Sequence, residues 1–191
     1  PADSGLSVVE GVRTPERKVH GMKRYYIAYG SNLNVQQMRW RCPGARIIGT
    51  SELQDYRLLF KGSKTGSYLT VEPEKGCTVP VVVWEVTDQD ELALDRYEGY
   101  PRHYTKEQVS VRTTDGAAVS VMAYIMAEPM CRQPALPSPY YYRAIQQGFE
   151  ANGLPVESLE EAWNRTIDEV WSGKVDKSKD KKRSRNRKPE R

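Results

Sequence analysis

Apolar residues recur along the first two thirds of the chain in patterns that predict a series of β-strands. The run 24–29 is short and β-prone, and in 45–62 the side chains of Tyr56, Leu58 and Phe60 alternate with polar ones. Such alternation places apolar side chains on one face, so 45–62 is predicted to form one or two strands. Further strands are predicted near 67–72, 79–86, 107–113 and 117–126.

Two sequence features indicate how some of these predicted strands are buried and connected. The run 79–86 is strongly apolar, which favours a strand buried on both faces. The runs 107–113 and 117–126 are separated by Asp115-Gly116, a pair typical of tight hairpin turns. The pair is therefore predicted to join two antiparallel neighbours.

Four helices are predicted from their start and stop signals. The last has apolar residues three or four positions apart, which indicates an amphipathic helix. The predicted starts are Asn34, Asp88 with Glu91, Ser138 with Pro139, and Ser158 with Glu161, and the predicted ends lie near residues 41, 98, 152 and 172. A strand, a helix, many strands with one inserted helix, and then helices predict an α+β fold with a largely self-contained sheet, not a doubly wound parallel one.

Composition and charge divide the 191 residues into three parts. We expect a flexible N-terminal extension at 1–21, without the apolar core of a secretory signal, one domain at 22–173, and a disordered basic tail at 174–191. The tail carries a net charge of +7, whereas the whole chain carries +4, which leaves −3 for the rest. Contact with nucleic acid is therefore expected only non-specifically, through the tail. No stretch is long and apolar enough for a membrane helix.

Cysteine and histidine usage restricts the chemistry. Cys42, Cys77 and Cys131 are odd in number and far apart, which favours reduced thiols and a cytoplasmic protein over a disulfide framework or a metal site. The two histidines, His20 and His103, are too few for a His-rich metal centre. His103 follows Glu98 closely enough for an acid–base pair, although a loop histidine is the more ordinary interpretation.

The first candidate site is the segment 29–33, which comprises Tyr29, Gly30, Ser31, Asn32 and Leu33. It lies between a predicted strand and a predicted helix. Backbone N–H groups converge where a helix begins, and such a group binds a carboxylate or a developing oxyanion. The alternative is an ordinary turn with a side-chain cap.

The second candidate is Glu98, in the last turn of its predicted helix. A carboxylate there faces the negative end of the helix dipole, and an apolar setting adds to the rise in its pKa. A raised pKa suits a general acid or base that works near neutral pH. The alternative is a solvated glutamate paired with Arg96 or Arg102.

The third candidate is the tyrosine-rich start of the next helix, at 138–143. Tyrosines there can supply a pocket wall and a hydroxyl donor, but they are also common packing residues. From the residues alone, packing is the more ordinary interpretation, with Tyr141, Ile145 and Phe149 forming a buried apolar stripe.

The order of these motifs resembles the γ-glutamylcyclotransferase family. The resemblance covers about 25–155 and rests on three motifs. These are Tyr-Gly-Ser-Asn-Leu after the first strand, Glu-Gly at the end of a central helix, and Pro-Ser-Pro-x-Tyr before a helix that ends in Asn-Gly-Leu-Pro. It implies a small mixed β-barrel flanked by helices, and an enzyme without a metal or organic cofactor.

The resemblance also implies a reaction and its residues. The α-amine of a γ-glutamyl group attacks its own γ-carbonyl, giving 5-oxoproline and a free amine or amino acid. Glu98 would be the general acid and base. The substrate-binding residues implied are Tyr29, Gly30, Ser31, Asn32, Leu33, Tyr104 and Tyr141. Two alternatives remain at this point: a non-catalytic binder of γ-glutamyl or other carboxylate ligands in the same pocket, and a protein whose tail binds acidic partners.

Overall fold

The computed structural model describes residues 24–63, 66–112, 118–128 and 133–172. Within these ranges the elements are, in chain order, β1 Arg24–Ala28, a 3-10 turn Ser31–Leu33, α1 Val35–Arg41, β2 Arg46–Ser63, β3 Gly66–Val86, α2 Asp88–Glu98, β4 Tyr104–Arg112, β5 Ala118–Met126, β6 Gln133–Pro134, α3 Pro139–Ala151 and α4 Glu157–Trp171. The predicted N-terminal extension, the hairpin turn Asp115-Gly116, Cys131 and the basic tail lie outside the described residues.

Five strands close into a barrel. Their order is β3-β1-β5-β4-β2, and β2 pairs back with β3, while the two-residue β6 adds to the outer edge of β2. β1 and β5 are parallel, and the other pairings are antiparallel. The α+β class and the small mixed barrel expected from the sequence are therefore confirmed.

Two long bent strands replace several predicted short ones. β2 is continuous, and the predicted strands at 67–72 and 79–86 are parts of β3, which pairs with β2 along most of its length. Register shifts interrupt the pairing near Gly49 and Tyr56, and Asp55 and Gly76 adopt positive φ of 59° and 85°. Bulges of this kind bend strands and increase their twist, which lets a strand pass around a barrel. β4 also begins earlier than predicted, at Tyr104.

The helix starts correct two predictions. Asn34 and Ser138 cap α1 and α3 as expected. The capping box of α2 is Thr87 with Asp90, one residue before the predicted Asp88 and Glu91. Asp90 is also favoured by its surroundings, because it is buried and its other oxygen accepts the N–H of Gly44 at 3.1 Å.

The predicted capping box of α4 is wrong. The helix begins at Glu157, and Val156 before it supplies no side-chain hydrogen bond. Packing fixes this helix instead, because Leu159, Ala162 and Thr166 are buried against the barrel. The Thr166 hydroxyl accepts the N–H of Phe60 in β2 at 3.2 Å.

α3 covers the turn after β1. Gly148 lies so close to Leu33 that a Cβ built on the glycine would be 2.7 Å from the Leu33 Cβ. The Asn152 side chain donates to the Leu33 carbonyl at 2.8 Å. These contacts fix the 3-10 turn against the helix, which is the part of the fold that positions the site.

Among the described helices, none combines the length and the apolar character that crossing a bilayer requires.

Candidate active site

A cavity of about 410 Å³ opens where the end of β1, the end of α2 and the start of α3 meet beside the β2–β3 hairpin. Its wall is strongly aromatic, with seven tyrosines among fifteen lining residues. The tyrosines are Tyr26, Tyr29, Tyr68, Tyr97, Tyr104, Tyr124 and Tyr141. Glu98 is the one carboxylate among the described lining residues. A single acid in an aromatic cavity is a favourable setting for proton transfer.

Glu98 is the last residue of α2. The helix stops there because Gly99 takes the left-handed conformation, with φ of 65°, and forms the C-cap. Burial raises the pKa of Glu98 to about 7, while the hydrogen bond from Asn32 and the charge of Arg41 oppose the rise. At neutral pH the group is therefore divided between acid and carboxylate, as a residue that both accepts and returns a proton requires.

This raised pKa gives a stability prediction. A glutamate in the unfolded chain has a pKa of about 4.3, so the folded protein holds the Glu98 proton more tightly than the unfolded chain does. Stability is lost as pH rises through this window, and the full penalty, at most about 4 kcal/mol, applies above about pH 7. We expect Glu98→Gln to increase the free energy of unfolding by about 1–3 kcal/mol at about pH 8, and to leave it nearly unchanged at about pH 4. Urea denaturation at the two pH values measures this difference.

Glu91→Gln is the matched control, because its expected sign is opposite. Burial alone would raise the pKa of Glu91, but hydrogen bonds and charges from Lys106 and Arg24 lower it overall. A lowered folded-state pKa stabilises the protein above the unfolded pKa, and this stabilisation is lost on acidification. Glu91→Gln should therefore lower stability at about pH 8. Equal stability of wild type and Glu98→Gln at both pH values would contradict the burial of a charged Glu98.

The turn after β1 forms the opposite wall of the cavity. The Tyr29 hydroxyl donates to the Tyr124 carbonyl at 2.6 Å, and the Ser31 hydroxyl is 3.0 Å from the hydroxyl of Tyr97. A helical turn has no internal acceptors for its first N–H groups. Among the described residues, the backbone hydrogen bonds of this turn run from the Leu33 N–H to Gly30 and from the Asn34 N–H to Ser31, so they do not use the N–H groups of Ser31 and Asn32.

Two tyrosines reach the same backbone segment of β3. The Tyr104 hydroxyl donates to the Leu69 carbonyl at 3.1 Å, and the Tyr141 hydroxyl accepts the Leu69 N–H at 3.2 Å. Burial raises the pKa of both phenols, so both stay protonated at neutral pH. Tyr141 keeps its own proton available for a further acceptor in the cavity.

The predicted site residues divide into two groups. Those that line the cavity are Tyr29, Gly30, Ser31, Glu98, Tyr104 and Tyr141. Asn32 and Leu33 lie behind the wall. Asn32 is 2% exposed and donates to Glu98 through its side chain at 2.8 Å, and Leu33 is fully buried beneath α3.

Sequence reasoning missed several lining residues. Tyr26 and Tyr124 come from β1 and β5, which are neighbours only through the single parallel pairing of the barrel. Nothing in the local sequence signals that pairing. Tyr97 carried one usable signal, since it immediately precedes Glu98.

His103 lies in the cavity wall, exposed to solvent. The turn from Gly99 brings it there, with the His103 N–H donating to the Gly99 carbonyl at 3.0 Å. Within the described residues its ring makes no hydrogen bond to Glu98, so the geometry does not form a Glu–His pair. The described ranges also contain no group of three acidic, histidine or cysteine side chains placed to hold a metal ion.

Comparison with known proteins identifies relatives of this chain. A sequence profile described as "Gamma-glutamyl cyclotransferase, AIG2-like" matches residues 26–143. The human gamma-glutamylcyclotransferase is 34% identical over 143 residues, which are 71% of this chain and 74% of the human protein. The bovine protein of the same name is 33% identical over 149 residues, with coverages of 74% and 78%.

Solved structures give the same result. A structure described as gamma-glutamyl cyclotransferase matches with a TM-score of 0.64 at 32% identity and covers 73% of this chain and 86% of its own. YkqA from Bacillus subtilis has a TM-score of 0.62 at 21% identity, over 76% of this chain and 55% of its own, and shares the fold. From the profile match and the relatives above 30% identity, we conclude that this chain belongs to the γ-glutamylcyclotransferase family.

Proposed function

We propose that this enzyme converts γ-glutamyl compounds to 5-oxoproline and a released amine or amino acid, with Glu98 as the general acid and base. One observation carries the role of Glu98: a single, partly buried carboxyl group with a pKa of about 7 lies in the wall of the tyrosine-lined cavity. The other support is membership of a family whose relatives are named for this reaction.

The proposed reaction balances without a co-reactant. Glu98 as carboxylate accepts a proton from the α-ammonium group, and the freed amine attacks the γ-carbonyl carbon to close the five-membered ring. The protonated Glu98 then gives this proton to the leaving nitrogen as its bond to the γ-carbon breaks. The attacking nitrogen loses a second proton as it becomes the ring amide, and the released amine takes up that proton and leaves as an ammonium ion. Because nucleophile and electrophile are in one molecule, the protein has only to fold the substrate and pass protons from one nitrogen to the other.

The cavity walls suggest how the substrate is held. The N–H groups of Gly30, Ser31 and Asn32 would bind the α-carboxylate or the oxyanion that forms at the γ-carbon. Tyr29, Tyr104 and Tyr141 would shape the pocket around the γ-glutamyl chain. The Tyr141 proton, which Leu69 leaves unused, is the side-chain donor best placed to assist.

A non-catalytic binder of carboxylates is the weaker alternative. A pocket that only binds an anion gains nothing from a carboxyl group that is partly ionised at neutral pH, since like charges repel. Glu98 in the cavity wall therefore favours chemistry over binding. We also propose a cytoplasmic location, which the free thiols of Cys42 and Cys77 support.

The test is release of 5-oxoproline from a panel of substrates. The panel contains γ-glutamyl-alanine, glutathione, γ-glutamyl-lysine and a γ-glutamyl alkylamine, and 5-oxoproline is measured by liquid chromatography. We expect release from at least one member, together with an equal amount of its leaving amine. Tight binding of these compounds with no 5-oxoproline formed would instead support the non-catalytic alternative.

A further inference from the structure

Asn32 connects the base to the interior of the protein. One nitrogen, Nδ2, donates both to Glu98 Oε1 and to the Tyr26 hydroxyl, each at 2.8 Å. An amide nitrogen carries two hydrogens, so both are used. Within the described part of the chain Glu98 Oε2 has no hydrogen-bond partner, and it is therefore the oxygen left for a substrate proton.

Arg41 determines which way the Asn32 amide faces. Its Nη1 donates to Asn32 Oδ1 at 2.7 Å. A guanidinium has only donors, so the amide oxygen must face it and the amide nitrogen must face Glu98. A flipped amide would place an oxygen against the Glu98 carboxylate and a nitrogen against the Arg41 donor, which is unfavourable at both ends.

Arg41 is itself fixed on two sides. Its second arm, Nη2, donates to Gln37 Oε1 one turn earlier in α1 at 2.7 Å. Its guanidinium carbon lies 3.6 Å from the centre of the Tyr97 ring, a cation–π contact. Tyr97 directly precedes Glu98, so Arg41 joins α1 to the end of α2 at the base.

We propose that Arg41 is a positioning residue which, through Asn32, holds the Glu98 carboxylate with one oxygen bound and the other open to the substrate. Its positive charge also favours the ionised form of Glu98. The catalytic consequence of this pair rests on the proposed function, whereas its effect on Glu98 itself does not. Asn32 then serves the base through its side chain as well as the substrate through its N–H.

None of the other described groups around Glu98 carries a permanent positive charge. The groups that face the base are Tyr26 and Tyr29 from β1, Tyr97 from α2, Tyr104 from β4, Tyr141 from α3, and His103 in the turn before β4. Phenol side chains in general carry no charge at neutral pH, and neutral phenols cannot attract the Glu98 carboxylate as a cation does. Arg41 is therefore the permanent cation among the described groups near the base.

The experiment compares Arg41→Gln and Arg41→Lys with Arg39→Gln, which removes the same charge from an exposed position on the same helix. Two readouts are used. One is the pH profile of kcat/KM for 5-oxoproline release. The other is titration of the Glu98 carboxyl carbon by ¹³C NMR, with its signal identified by its absence in Glu98→Gln. The NMR titration needs no turnover, so it distinguishes failure of this inference from failure of the proposed function.

For Arg41→Gln we expect the acid limb and the NMR titration of Glu98 to move upward by about one pH unit. This shift reduces kcat/KM roughly fivefold at neutral pH and much less at about pH 9. Arg41→Lys keeps the positive charge, so the pH at which Glu98 titrates should stay close to that of the wild type. Its kcat/KM should still fall, because lysine cannot bind Asn32 and Gln37 at once as a two-armed donor. Arg39→Gln should match the wild type.

Two results would overturn the inference. The first is a Glu98 titration in Arg41→Gln that superimposes on that of the wild type. The second is a rise in KM with neither the profile nor the titration displaced, which would mean that Arg41 contacts the substrate instead. If Arg41→Gln does not fold, a wild-type rate and profile for Arg41→Lys would exclude the two-armed contact.

Discussion

We expect Glu98→Gln to lower kcat for 5-oxoproline release by on the order of 10²–10⁴-fold, because the variant can neither accept the ammonium proton nor return it to the leaving nitrogen. The change is nearly isosteric. The introduced amide can orient its carbonyl oxygen toward the Asn32 amide nitrogen, so the contact that is 2.8 Å in the wild type can be kept. Binding of the γ-glutamyl group should change little, and KM should stay within a few-fold.

Glu107→Gln is the control for this measurement. It makes the same chemical change on β4, where the side chain is exposed and outside the cavity wall. We expect wild-type turnover from it. The pair of variants also separates chemistry from folding, since Glu98→Gln should be the more stable protein at about pH 8 while it is the inactive one. Full activity of Glu98→Gln would remove this residue from the mechanism.

The sequence made Glu98 a candidate because its signal is local, and the family resemblance favoured it over a solvated glutamate. Gly99 and Pro101 end the helix at that residue, and a carboxylate at a helix C-terminus is already an unusual placement. The main cause of the raised pKa was not visible in the sequence. Burial supplies it, through walls formed by strands that are distant in the chain.

Long-range placement accounts for the parts of the site that sequence reasoning missed. By its position in the sequence Arg41 is an ordinary cation in the last turn of a helix, and only the packing of α1 against the end of α2 brings it to Tyr97 and Asn32. Tyr124 enters the cavity because β5 pairs with β1 in parallel. Neither a strand pairing of that kind nor a side-chain partner on another helix follows from hydrophobic periodicity.

The helix starts also depend partly on local sequence signals and partly on tertiary contacts. Thr87 and Asp88 are both acceptable caps by residue type, and the choice between them falls to Asp90, which a tertiary contact to Gly44 holds in place. Ser158 and Glu161 matched a capping pattern that α4 does not use, because burial of its apolar face sets where that helix lies. Local signals therefore located each helix to within a residue or two, and packing decided the rest.

The second large effect is expected at Gly148, at the contact between α3 and the turn whose N–H groups we propose to bind substrate. A Cβ there would lie 2.7 Å from the Leu33 Cβ and 3.2 Å from the Asn34 nitrogen, so the backbone of the turn or the helix must move. Overpacking of this kind costs about 1–3 kcal/mol, which outweighs the few tenths that valine gains over glycine in a helix. We expect Gly148→Val to lower the melting temperature by about 2–4 °C for each kcal/mol lost.

The activity of Gly148→Val should fall by more than the loss of folded protein alone would cause. Leu33 is followed by Asn34 and preceded by Asn32, so a displaced turn also displaces the amide that orients Glu98. A shift of about 1 Å at a positioning group can cost on the order of 100-fold in rate. Gln147→Val places the same side chain at the exposed neighbouring position and should leave both melting and turnover close to wild type. If Gly148→Val instead melts and turns over like Gln147→Val, the contact between α3 and the turn does not position the site.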